Sequence, residues 1–164
     1  MNDRYLYRAK RTDNGEWIVG SLIQTSYLGS IRSWISSEQE DKARLREVSS
    51  NQAVWRAFEV RTDTICQCTG LRDKNGKLIW ENDILMCHDN PKDLMKVVFG
   101  EFYVINAETL EKVDRVIGWH YEVIPTDSLS KCEPFCLSMP LTDFYIDRCE
   151  MEVIDNPELL EVGE

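Results

Sequence analysis

The stretch "TGLRDKNGKLIWENDIL", Thr69 to Leu85, decides the reading of this chain. It sets an apolar run, Leu78-Ile79-Trp80, between two turn signals, Asp73-Lys74-Asn75-Gly76 and Glu81-Asn82-Asp83. Asn75-Gly76 is a strong two-residue hairpin signal, because both residue types tolerate positive φ. Asn82 stands where a left-handed residue would turn the chain into "DILMC", and Asn is the best non-glycine choice there. Asp73 and Asp83 are expected to hold these turns through backbone amides. The stretch therefore reads as the corners of a small β-domain rather than as a phosphate or metal loop.

The pattern continues on both sides. "YLYRAKR" places Tyr5, Tyr7 and Ala9 on one face of an extended segment, and "DNGEWIVGSLI" adds a turn and a second strand. Gly20 within that strand points to a bulge or a close backbone approach. "SIRSWISS" supplies a third strand. "SSEQEDKARLREVSS" changes character, and reads as an exposed helical excursion over 38–48, with a capping box from Ser37 to Glu40. "VWRAFEVRTDTICQCTG" returns to extended structure. "MKVVFGEFYVINAE" reads as two strands about a Gly100-Glu101 turn, "VIGWHYEVIP" as another strand, and residues 125–142 as an irregular loop. "CEMEV" alternates, and Asn156-Pro157-Glu158 begins a short helical turn. The fold class expected is mainly β, a small barrel or sandwich in a single domain over 1–164.

Composition sets the class. The 164 residues are 43% hydrophobic and 29% charged, a soluble globular balance. There is no apolar run long enough to cross a membrane as a helix, and "MNDRYLYRAKR" lacks the apolar core of a signal peptide. A cytoplasmic protein is expected, with six reduced cysteines and no membrane partner. The net charge of −10 argues against direct nucleic-acid binding and favours basic partners. Six carboxylates and no basic residue occupy Glu150 to Glu164.

Three constellations could carry chemistry. Cys66, Cys68, Cys87, His88, His120, Cys132, Cys136 and Cys149 are soft ligands, but only Cys132-x3-Cys136 has a zinc-pair spacing, so no metal is assigned. Cys87 beside His88 is not a nucleophile–base pair, since strand neighbours face opposite ways. With no phosphate loop, nucleophile elbow or dinucleotide fingerprint, no catalytic or cofactor-binding residue is assigned and no enzyme is expected. Trp17, Trp34, Trp55, Trp80 and Trp119 either pack the core or line a peptide groove.

The ordered pieces "YRAK…GEWIVGSL", "VRTDTICQCTGLRDKNGKLIWENDIL", "VVFGEFYV" and "DNPELLE" resemble the YopX family, bacteriophage and prophage proteins of uncharacterised function. The matching positions are Thr64, Gln67, Thr69 to Leu71, Asp73 to Lys77, Ile79, Glu81, Asp83, Ile84 and Asn156 to Leu160. Asn82 stands where the family usually has Gly, and Cys68 where Tyr or Phe is common. The resemblance implies a mainly β fold with an SH3-like barrel and brings no known site residues. The function expected is a non-enzymatic interaction module with an unidentified protein partner, a homo-oligomer being open. The alternatives are an acidic protein that occupies a host nucleic-acid-binding surface, and a weak metal-site protein or hydrolase.

Overall fold

The computed structural model describes residues 3–37, 57–106 and 108–154. The helical excursion expected at 38–48 and the helical turn expected at Asn156 lie outside them. The chain divides into two compact units, Met1–Cys68 and Thr69–Glu164.

The first unit begins with a 3-10 turn, Asp3–Tyr5. The strands follow: β1 Tyr7–Lys10, β2 Trp17–Tyr27, β3 Ser30–Ser36, β4 Ala57–Val60 and the start of β5 Cys66–Arg72. They pair antiparallel in the order β4-β3-β2-β1-β5. One face of this sheet carries Ala9, Ile18, Ile35 and Val60, buried together with Tyr7, Leu22, Phe58 and Ile65 packed around them. Tyr5 does not join Tyr7 and Ala9: it ends the 3-10 turn and is exposed. The turn between β1 and β2 has Gly15 at φ +75°. Gly20 marks a close approach, as its sequence setting suggested. A Cβ there would fall 1.9 Å from the Ser36 carbonyl oxygen.

In the second unit the last residues of β5, Thr69–Arg72, form a hairpin with β6 Leu78–Trp80. Then come β7 Ile84–Met86, β8 Leu94–Ile105, β9 Lys112–Ile124, β10 Met139–Pro140, α1 Asp143–Arg148 and β11 Glu152–Ile154. The sheet order is β10-β9-β8-β7-β11, all antiparallel. Ile79, Leu85, Val97, Ile146 and Met151 are the deepest part of its core. The mainly β expectation holds. No sheet closes on itself among the described residues, so the barrel detail finds no support.

Two expectations in this unit are corrected. Gly100 is no turn: β8 runs unbroken through it, and Gly100 lies opposite Gly118 of β9. The reversal comes after Ile105, where Asn106 Oδ1 accepts from the amides of Glu108 and Thr109. Residues 125–142 are irregular only to Ser138, because Met139–Pro140 adds an edge strand to β9. Pro is suited to that position, since an edge strand can spare its N–H. A helix, α1, follows at once. Thr142 caps it by accepting from the Tyr145 amide, and Ile146 carries its buried face.

Candidate functional site

In the Thr69–Leu85 stretch two buried carboxylates hold the turns. Asp73 is 6% exposed. Its Oδ1 accepts from the amides of Asn75 at 2.9 Å and Lys77 at 2.8 Å, and its Oδ2 from the amide of Val153 in β11 at 2.9 Å. Gly76 sits at φ +80°, and its amide donates to the Asp73 carbonyl. Asn75 is not at positive φ, so the turn is a tight bend followed by one left-handed glycine, not the primed two-residue turn expected. Asn82 takes φ +65°, and Asp83 Oδ2 accepts from the Trp80 amide at 2.9 Å. Both carboxylates thus hold turns, as the sequence suggested. Lys74 bonds Asp89 and lies 3.3 Å from Glu152. The hydrogen bond that Lys74 donates to Asp89 does most to raise its pKa.

The cysteines and histidines are spread over separate environments. Cys66 and Cys68 are buried one face apart from Gln67 along β5. Cys132 is exposed and Cys136 half-buried, in the loop before β10. Cys87 is 1% exposed whereas His88 is exposed at φ +49°, so these neighbours face opposite ways. Cys149 packs against the buried cluster that holds Cys87, and the His88 amide donates to the Cys149 carbonyl, a pairing that nothing in their spacing announces. Burial pushes both thiols up, and Tyr121 with them. Burial likewise raises Asp93. Among the described residues no three His, Cys, Asp or Glu side chains come together as a metal site. His120 is 2% exposed, stacked on Phe102 at 4.7 Å, with Nδ1 3.2 Å from the Gly118 carbonyl. It borders a cleft of about 280 Å³ with Glu122 and Cys136.

The tryptophans divide. Trp80 is buried, Trp119 is half-buried against Phe99 in an edge-to-face pair at 5.0 Å, and Trp55 lies outside the described residues. Trp17 and Trp34 are on the first unit's sheet, on the side opposite its core. Alternation along β2 sends Ile18, Gly20 and Leu22 inward, and the other parity outward. Outward stand Trp17, Val19, Ser21, Ile23 and Thr25, five successive positions, all exposed. The pairing register sets Lys10 beside Trp17, Trp34 beside Ile23 and Arg32 beside Thr25. Trp17 is 50% exposed, and the cations of Arg8 and Lys10 lie 5.0 and 5.5 Å from its ring.

At the far end the hairpin turns through Leu28 at φ +49° and Gly29 at φ +79°. A bulky residue at positive φ is costly, yet Leu28 is 88% exposed. Thr25, Leu28, Ser30, Arg32 and Trp34 line a hollow of about 480 Å³. The arrangement offers apolar and aromatic surface with positive charge at its ends. The same face carries the hydroxyls of Ser21 and Thr25, and Glu59 stands opposite Trp34. Composition could not show this face, because outward Trp, Val and Ile hide the usual polar alternation.

Charge is divided between the units. Residues 1–68 hold ten Lys and Arg against nine Asp and Glu, and residues 69–164 hold nine against twenty. No helix among the described residues is long and apolar enough to cross a membrane. No curated protein and no solved structure matches the chain significantly. The family model described as "YopX protein" matches residues 6–161, nearly its whole length. The motifs of the turn-rich stretch and the extent of that match agree: the chain belongs to the YopX family.

Proposed function

We propose that this protein is a non-catalytic interaction module that holds a protein partner on the outward face of its first unit. The observation that carries the reading is the unbroken outward row Trp17, Val19, Ser21, Ile23 and Thr25, with Leu28 projecting at its end. Monomeric proteins rarely leave contiguous apolar surface without a use. Exposed aromatics flanked by cations are typical of binding centres. The setting that goes with this reading is the bacterial cytoplasm and a phage or prophage role, as the family resemblance suggests. The test is a paired substitution, Val19→Asp with Ile23→Asp, in a pull-down from host cytoplasm. Both side chains are exposed, so the fold should survive, which circular dichroism checks. Loss of a partner that the native protein retains supports the reading. A partner retained equally by both proteins goes against it.

The charge of residues 69–164 favours a second reading, in which the acidic unit occupies a basic, nucleic-acid-binding surface of another protein. A partner released by moderate salt, and unaffected by the two Asp substitutions, would favour it.

A further inference from the structure

We infer that the outward face of the first unit takes an acidic extended peptide of about nine residues or more, with a carboxylate near each end and apolar side chains between. The inference deepens the reading of that face as an interaction surface, and rests on it.

Trp17 and Thr25 are eight residue steps apart on one strand, which spans about 26 Å at ~3.3 Å per residue. The register places Lys10 at one end, beside Trp17, and Arg32 at the other, beside Thr25. The surface between them is formed by Val19, Ser21 and Ile23, with Trp34 at the side. An extended chain repeats its side-chain direction every two residues. Its residues i and i+8 would therefore meet Lys10 and Arg32 from the same side, while i+2 to i+6 lay over Val19, Ser21 and Ile23.

Charge selects the occupant. Elsewhere in this unit Arg11 and Arg61 are neutralised by Asp13 and Asp63, at 2.6 and 2.7 Å. Neither Lys10 nor Arg32 makes an ion pair among the described residues. Glu59 stands opposite Trp34, in the row of Ile23, so a carboxylate is disfavoured over Ile23 and favoured beside Lys10 and Arg32. The hollow beside Arg32 gives an apolar side chain near the second carboxylate a place to enter.

A single-stranded nucleic acid shares the negative charge but fits less well. It needs bare aromatic faces on which successive bases stack, and a continuous track of cations. Here Arg8 and Lys10 already lie against the Trp17 ring, Val19 and Ile23 offer no stacking, and the chain as a whole carries −10.

The experiment is a selection from a randomised twelve-residue peptide library, displayed on ribosomes, against the immobilised full chain. Fluorescence anisotropy of the selected peptides then reads affinity. Enrichment of Asp or Glu pairs about eight residues apart, flanking Val, Ile, Leu or aromatic residues, is the expected result. Affinity should fall roughly tenfold or more for Lys10→Glu with Arg32→Glu, and by less for Lys10→Gln with Arg32→Gln. Circular dichroism confirms that both variants fold. Selected peptides without acidic enrichment that still lose binding in Val19→Asp with Ile23→Asp would overturn the acidic partner and leave the interaction face standing. Tighter binding of a ten-nucleotide oligothymidine than of any peptide would overturn it in favour of nucleic acid. No enrichment at all would also overturn it, and the pull-down with the Asp variants then decides separately whether the face binds any protein.

Discussion

Asp73 and Val153, eighty positions apart, are joined by one hydrogen bond: the Val153 amide donates to Asp73 Oδ2 at 2.9 Å. The other oxygen of the same carboxylate holds the turn amides of Asn75 and Lys77. One buried side chain thus fixes both the hairpin and its attachment to β11. Asp73→Ala would leave three amides without their acceptor, and should cost about 2–4 kcal/mol. Asp73→Asn keeps an oxygen for the turn but turns an NH2 toward Val153, so it should fall between. Urea unfolding measures both. An Ala variant within about 0.5 kcal/mol of native, the range of ordinary surface changes, would show that the carboxylate does not hold this corner.

Gly76 is left-handed at φ +80° and Asn75 is not at positive φ. Gly76→Val should therefore cost roughly 1–3 kcal/mol through backbone strain. Nothing lies within 4 Å of a Cβ at Gly76, so crowding adds no part of it. Gly76→Asn should cost less, because Asn tolerates that conformation. Equal losses for Val and Asn in thermal unfolding would mean that φ is not the cause.

Gly20 presents the opposite case. A Cβ there would fall 1.9 Å from the Ser36 oxygen and 2.7 Å from its carbonyl carbon. These are backbone atoms of the neighbouring strand, so β2 and β3 must separate to admit even Ala. Gly20→Ala should cost about 1–3 kcal/mol or more, the range for overpacking. An Ala variant as stable as native by urea unfolding would contradict the close approach.

Burial raises Cys87 above its ordinary value of 9.0 and Tyr121 above 10.0. Both groups stay protonated in the fold when the unfolded chain would ionise. The folded state then binds more protons, so stability falls as pH rises. Their contribution is fully present below about pH 9 and is lost progressively above it. Cys87→Ala with Tyr121→Phe should flatten the alkaline limb of a stability–pH curve, at some cost in packing. An unchanged limb would show that neither group is protected in the fold.

The turns were legible because each depends on one or two residue types. Asn82 and Gly76 follow from positive-φ tolerance, and Asp73 and Asp83 from backbone capping. Gly100 misled by the same logic, since glycine inside a strand carries the same letter as glycine in a turn. Only the facing Gly118, eighteen residues on, distinguishes the two. Helix α1 was missed because a short element between Pro140 and Cys149 has little room for periodicity, although Thr142 followed by Asp143 was a usable cap signal. The candidate face was the least legible. The tryptophans were named, but which side of a sheet meets solvent depends on where the core forms, and that is decided by Ala9, Ile18, Ile35 and Val60 together.

The outward side of β2 is the proposed binding surface for a partner protein. The most direct measurement is photo-crosslinking in host cells, with the reactive amino acid placed singly at Ser21, Ile23, Gln24 or Lys92. Ser21 and Ile23 face outward, Gln24 is exposed on the other side of the same strand, and Lys92 is exposed in the second unit. One discrete protein adduct is expected from Ser21 and Ile23, and none of that mass from Gln24 or Lys92. Equal adducts from all four positions, or an adduct from Lys92 with none from Ser21 and Ile23, would contradict it.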